Sequence, residues 1–351
     1  MGKHILFATW LGGGNVNPVL GLTEALRADG HAVSAVATSF LGDRLAAAGI
    51  SVLDPPAGYL PEGGDLARAV DSADPDLVVA DFMLTSVLGV AASLDTPNVG
   101  LIHTLYGANM LDGAPHSMLM TGGVEPVNAD RASLGLDPVA TLGDLLAGMD
   151  GLVVTAPPEL DDHTVPVPAP ATYIGPLFEG PGPDAGWTPP PGDGPLIVIS
   201  PGTAAMDPAP EAQMVSGVLE AVESLDARVL LTVADYQDTT ALPVPANTTV
   251  SGYVRHAAVL PHTDLVVTHA GLGTVTAALA HGVPMVCLPL DREQPDNAAA
   301  VARIGAGTHL SPATPPDAIR AAIEGELARS ETVRFPSDPA RAAATLLSYA
   351  G

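Results

Sequence analysis

Lysine is almost missing from this chain. Lys3 is the only one, and 13 basic residues stand against 39 acidic ones, a formal net charge of −26. A surface of that sign repels nucleic acid and anionic membranes, so neither is an expected partner. Any bound phosphate must then be held by backbone N–H groups, helix dipoles and histidine rather than by cations. Cysteine is equally scarce. Cys287 is the single one and lies in a predicted buried strand, which excludes an intrachain disulfide and a cysteine-based metal site and fits a cytoplasmic setting. No apolar run reaches the ~18 residues that span a bilayer. The opening residues, MGKHILFATW, read as a strand entering a glycine turn rather than as a signal peptide. What is plentiful is apolar: 47% hydrophobic and 15% charged residues mark a well-buried globular chain, and 351 residues suffice for two domains.

Strand and helix signals alternate, as in a doubly wound α/β domain with a parallel sheet. Residues 5–9 read as a buried strand followed by the turn Gly12-Gly13-Gly14-Asn15-Val16-Asn17, with Pro18 expected at the first helical position. Strands are also expected at 31–38, 51–53, 76–80, 99–103 and 151–155. Residues 105–149, with Met110, Met118 and Met120, read as irregular. The stretch EGPGPDAGWTPPPGDG at 179–194 reads as a linker. Alternation then restarts with strands at 196–200, 229–233, 250–253, 265–268 and 285–288. The predicted organisation is a Rossmann-like domain over 1–180, a linker over 181–194, a second Rossmann-like domain over 195–334 and a C-terminal helix over 335–351.

Residues 264–297, DLVVTHAGLGTVTAALAHGVPMVCLPLDREQPDN, concentrate the chemistry. An apolar strand runs into His269, and Gly271 and Gly273 let the backbone approach a bound group. Thr274 is expected to open a helix that Gly282 ends and Pro284 blocks. A glycine-fed helix start offers free N–H groups and partial positive charge, which suits a phosphate, and His269 is placed to donate to it. One strand later an acidic, amide-bearing loop with Asp291, Glu293 and Gln294 supplies groups for hydroxyls.

In order and spacing, His269, Gly271, Thr274, Gly282-Val283-Pro284, Pro289, Glu293-Gln294 and Asn297-Ala298 resemble the donor signature of the UDP-glycosyltransferase-like superfamily. The likeness is to bacterial natural-product glycosyltransferases of the antibiotic and macrolide type. It implies the GT-B fold: α/β, two Rossmann-like doubly wound domains facing a cleft, with the C-terminal helix crossing back to the first domain. It also implies an inverting transfer from a nucleotide-sugar to a small apolar acceptor, with no cofactor and no metal. Carried over residue by residue, the donor diphosphate falls to His269, Gly271, Gly273, Thr274, Gly202 and Thr203. The nucleoside falls to Tyr253 and Val254, and the donor sugar to Asp291, Glu293 and Gln294. Ala277 replaces a glutamate that uridine-sugar users place on the ribose hydroxyls, so a TDP-sugar is favoured over a UDP-sugar. Arg255 and His256 depart from the family's Pro-Gln and leave the base open.

On the acceptor side the family's basic histidine is replaced by Asn15, which has no lone pair that titrates near neutrality. The family's partner aspartate is matched by Asp81. Three readings remain: Asp81 as direct base, Asn15 orienting an acceptor that ionises easily (a carbon, nitrogen or phenol nucleophile), or His103 as a second base candidate below Asp81. Asp74-Pro75-Asp76 spells a metal-site pattern but reads as a turn, and Gly271-Leu272-Gly273 imitates a dinucleotide fingerprint without its third glycine. A catalytically silent binding relative and a GT-B-fold nucleotide-sugar epimerase are the alternatives to a transferase.

Overall fold

The computed structural model describes residues 2–10, 14–53, 59–109, 123–202, 208–234 and 242–351. In chain order the elements are β1 (His4–Thr9), α1 (Val16–Ala28), β2 (Ala32–Ala37), α2 (Gly42–Ala47), β3 (Ser51–Val52), α3 (Gly63–Ala73), β4 (Leu77–Asp81), α4 (Thr85–Ala91) and β5 (Asn98–Ile102). Then follow α5 (Tyr106–Asn109), α6 (Glu125–Ser133), α7 (Leu142–Ala147), β6 (Gly151–Val154) and β7 (Thr172–Tyr173). The chain continues through β8 (Leu196–Ser200), α8 (Pro208–Val222), β9 (Arg228–Thr232), β10 (Thr248–Ser251), α9 (His256–Val259), β11 (Leu265–Thr268), α10 (Leu272–His281) and β12 (Met285–Cys287). It ends with α11 (Gln294–Arg303), β13 (Gly307–His309), α12 (Pro316–Leu327) and α13 (Pro339–Leu347).

The chain divides into two compact units, Met1–Leu177 with Asp338–Gly351, and Phe178–Ser337. Among the described residues the first contains a seven-stranded sheet in the order β3-β2-β1-β4-β5-β6-β7, and the second a six-stranded sheet in the order β10-β9-β8-β11-β12-β13. Each pairing between described strands is parallel. That explains the continuous apolar runs, since a parallel strand is covered on both faces: β4 is buried at all five positions. In each sheet the order reverses beside the first strand, between β1 and β4 and between β8 and β11. Ligands of such sheets bind at the carboxyl ends of those strands.

The first core joins Ile5 and Phe7 of β1, Leu22 and Leu26 of α1, and Leu77 and Val79 of β4 to Ala342 and Leu346 of α13. The single lysine helps to fix the chain's last turn there, for Lys3 Nζ donates to the Ala350 carbonyl at 3.0 Å. In the second unit Ile197, Ile199, Val218, Leu219, Val267 and Ile323 form the corresponding core.

Several local expectations are corrected. Pro18 is the third residue of α1, not the first, and is tolerated because the first four N–H groups of a helix lack intrahelical partners anyway. Likewise α10 begins at Leu272 with Gly271 at its N-cap, two residues before Thr274. Residues 105–149 are not uniformly irregular, since α5, α6 and α7 lie within them. The start of α7 is set by Thr141 and Asp144, whose side chains exchange bonds with each other's backbone N–H. Met110, Met118 and Met120 lie outside the described residues. Helix α3 was unassigned, although Asp65 reaches back to the Glu62 N–H at 2.8 Å and Leu66 and Ala69 are buried. Within the 181–194 stretch, residues Gly182–Gly186 form a 3₁₀ turn. No helix among the described residues is long and apolar enough to cross a membrane.

Leu346 is wholly buried in the first core. Leu346→Ala should cost about 2–5 kcal/mol of stability, read as a lower urea midpoint; an unchanged midpoint would mean that α13 is not anchored there.

Candidate functional site

In the second sheet Thr268 of β11 is in register with Ser200 of β8, so the residues that follow these strands emerge side by side. Gly202 follows one and His269 the other. The imidazole of His269 occupies a niche that only glycines allow. A Cβ on Gly202 would lie 3.0 Å from its Cε1 and Nε2, and one on Gly271 only 2.6 Å from Nε2. Gly202 also has φ +125°, strained for any side-chain-bearing residue. The chain then turns through Ala270, a non-glycine at φ +66°, whose carbonyl accepts from Asn297 Nδ2 at 3.0 Å. Asn297 is fully buried, and its Oδ1 has no hydrogen-bond partner among the described residues. Sequence reasoning quoted Asn297 only as part of a motif; it braces the left-handed residue that aims the helix.

The payoff of that turn is the start of α10. The N–H groups of Thr274 and Val275 return to the Gly271 carbonyl at 3.0 and 3.1 Å, and those of Gly271, Leu272 and Gly273 precede the intrahelical ladder. Thr274 is buried, its Oγ1 3.5 Å from His256 Nε2. Burial holds the His269 imidazole down at about 4, with a hydrogen bond to the Ser200 backbone acting the other way, and burial does the same to His256. Both rings are neutral at pH 7. Thr203 lies outside the described residues.

The acidic loop is built around Gln294. Its Oε1 accepts from the N–H groups of Leu290 (2.8 Å) and Asp291 (3.1 Å), while its Nε2 donates to Asp291 Oδ1 at 2.8 Å. Gln294 is buried, whereas Asp291 keeps 35% of its side chain exposed. The charges of Arg292 and Asp291 both act on His269, so this loop and the α10 turn form one neighbourhood. Glu293 precedes α11, and its Oε2 is buried with no hydrogen-bond partner among the described residues.

Tyr253 stands 46% exposed, with its hydroxyl donating to Glu179 Oε1 at 2.8 Å. Arg255 lies 3.5 Å from Glu179 Oε2 and its N–H donates to Asp184 at 3.1 Å. Arg255, one of the two departures from the family's Pro-Gln, therefore ties down the Pro/Gly stretch beside Tyr253 and Val254. Glu179 was missed; the one signal was its place as the first of three acids in a run of Pro and Gly, ahead of Asp184 and Asp193.

In the first unit Asn15, Asp81 and His103 come together at the carboxyl edge of β1, β4 and β5. Asn15 Nδ2 donates to Asp81 Oδ2 at 3.2 Å and to the Trp10 carbonyl at 2.9 Å. His103 Nε2 sits 3.0 and 3.1 Å from the two carboxylate oxygens, and the Met83 N–H reaches Oδ1 at 2.9 Å. Asp81 is 1% exposed. The Phe82 ring packs on His103 with centroids 4.7 Å apart.

Two parallel, doubly wound units with flanking helices are the architecture of the GT-B fold. The proteins the chain is similar to are antibiotic-type glycosyltransferases. Residues 216–341 match the family "Erythromycin biosynthesis protein CIII-like, C-terminal domain". Over 151 residues the chain is 37% identical to 4′-demethylrebeccamycin synthase of Lentzea aerocolonigenes, spanning 41% of this chain and about a third (34%) of that protein. It is 25% identical to demethyllactenocin mycarosyltransferase of Streptomyces fradiae over 88% of this chain and 76% of that one. The crystal structure of the calicheamicin glycosyltransferase CalG4 superposes with a TM-score of 0.71 at 26% identity, covering 100% of this chain and 95% of that one. The spinosyn rhamnosyltransferase SpnG complexed with thymidine diphosphate superposes at 0.68 with 18% identity, covering 99% and 96%.

Because both imidazoles fall from 6.5 to about 4 on folding, the unfolded chain binds more protons between those values. Their contribution to stability is complete above about pH 6.5 and is lost as pH falls toward 4. The Cε1 NMR signals of His256 and His269 should therefore keep their neutral positions from about pH 8 to about pH 5. An ordinary midpoint near 6.5 for His269 would contradict the half-buried, neutral ring.

Proposed function

We propose that the chain transfers a deoxysugar from a nucleoside diphosphate to a small, largely apolar natural-product acceptor, inverting the anomeric carbon. The single observation that carries this reading is the neutral His269 held between Gly202 and Gly271 at the start of α10. Fixed N–H dipoles and a neutral imidazole donor suit a departing diphosphate, because they need no reorganisation when its charge develops. His269, Gly271, Gly273, Thr274 and Gly202 form this site, with Thr203 assigned on sequence alone. Tyr253 offers a face to the base and Val254 its backbone. Asp291 takes a sugar hydroxyl while Gln294 fixes its orientation; Glu293 completes the loop.

Ala277 is fully buried in α10 and brings no carboxylate to the ribose, which supports a thymidine over a uridine nucleotide. Relatives named as mycarosyl- and rhodosaminyltransferases support a deoxysugar, as does the TDP held by SpnG. The leaving-group charge falls to α10, so no metal or other cofactor takes part, and the acceptor belongs to the first unit. The setting we infer is cytoplasmic. A silent accessory role is favoured only by Asn15 in place of a base. The epimerase alternative gains no observation of its own.

Three measurements test this. Calorimetry should show TDP binding more tightly than UDP, and failure of both to bind would remove the proposal. Gly271→Ala, whose Cβ would collide with His269 Nε2, should weaken TDP at least about tenfold, or about 1.4 kcal/mol. Undiminished affinity in that variant would remove His269 from the site. Sugar transfer should persist in excess EDTA; its abolition would contradict charge stabilisation by the helix.

A further inference from the structure

We propose that Glu179 is the positioning residue of the nucleoside site: its carboxylate holds the ring of Tyr253 where the base stacks. The proposal rests on the donor-site reading above, in which Tyr253 offers a face to the base. Every contact it uses lies within the second unit, Phe178–Ser337. Tyr253 comes two residues after the end of β10, at the carboxyl edge of the sheet, and is 46% exposed. A base requires that openness. An exposed aromatic left to itself, however, turns about two side-chain bonds, and a ligand that stacks on it then bears the entropy of ordering it.

Glu179 removes that freedom at the far end of the side chain. Its Oε1 accepts from the Tyr253 hydroxyl at 2.8 Å, and the residue is 4% exposed. A hydrogen bond to an ionised carboxylate is among the stronger side-chain bonds. Cβ and the hydroxyl oxygen define the long axis of the ring, so holding both fixes where the ring lies while the anchor stays off its faces.

The carboxylate is itself held in place. Arg255 Nε lies 3.5 Å from Glu179 Oε2, which offsets the cost of burying the charge. Arg255 is secured in turn: its backbone N–H donates to Asp184 Oδ2 at 3.1 Å and its Nη1 to the Gly180 carbonyl at 3.4 Å. Its guanidinium rests against Gly182, where a Cβ would collide with Nη1. Residues 179–184 therefore brace the loop at 253–255. The brace also reaches the diphosphate turn. The charge of Glu179 acts on His256, whose Nε2 lies 3.5 Å from Thr274 Oγ1 in the first turn of α10.

The test separates base from diphosphate, by calorimetry with TDP and with inorganic pyrophosphate. Tyr253→Ala should weaken TDP at least about tenfold, the loss of one base stack. Glu179→Ala and Tyr253→Phe cut the same bond from its two ends. Each should weaken TDP about three- to tenfold and leave pyrophosphate within about twofold. In the Tyr253→Ala background, Glu179→Ala should bring no further loss. If Glu179→Ala does not fold, Tyr253→Phe decides the question. Wild-type TDP affinity in Tyr253→Phe, equal losses for both ligands in Glu179→Ala, or additive losses in the double variant would each overturn the assignment. Undiminished TDP affinity in Tyr253→Ala would remove the tyrosine from the nucleoside site, and the proposal with it. A wild-type protein that binds neither ligand would instead remove the donor-site reading.

Discussion

For the proposed function, holding a diphosphate in a chain of net charge −26 is the constraint that bears on the second unit. Cations are too few to neutralise the ligand, so the field must come from oriented backbone. That demands a helix whose first N–H groups stay uncommitted and a turn that exposes them. Each local peculiarity serves this demand. Gly271 caps α10 with extended backbone, Ala270 takes a left-handed conformation, and the buried amide of Asn297 secures the Ala270 carbonyl. The glycines that frame His269 are needed because the ring fills the space a Cβ would occupy.

A neutral histidine is the natural complement of such a site. A charged imidazolium buried there would carry a desolvation cost in the free protein, whereas a neutral ring donates one hydrogen bond and leaves the dipoles to do the rest. The acidic loop fits the same logic. Asp291 would repel a diphosphate if it pointed freely, but Gln294 and Arg292 both hold its Oδ1.

Much of the sheet architecture was legible in the sequence, because strands of a doubly wound unit are continuous apolar runs set off by glycine, and because the α10 turn carries a dense run of constrained residues. What escaped has physical causes. The helices within 105–149 are short and partly exposed, so their periodicity is weak, and the starts of α3 and α7 depend on side-chain caps from Asp65 and Asp144. The pairing of Asp81 with Asn15 and His103 joins residues 66 and 22 positions apart, and the sheet order β1-β4-β5 creates it. Propensity contains nothing of that order. The tie between Arg255 and Glu179 is equally non-local, which is why the Pro/Gly stretch read as linker alone.

The central claim is that fixed dipoles, not cations, bind the nucleotide. It is tested most directly by the ionic-strength dependence of TDP affinity, measured by calorimetry from about 0.05 M to about 0.5 M salt. With oriented N–H groups at short range and an acidic surface repelling the ligand at long range, screening removes only the repulsion, and affinity should hold or rise. A steep fall in affinity with salt, as a cationic pocket gives, would contradict the account.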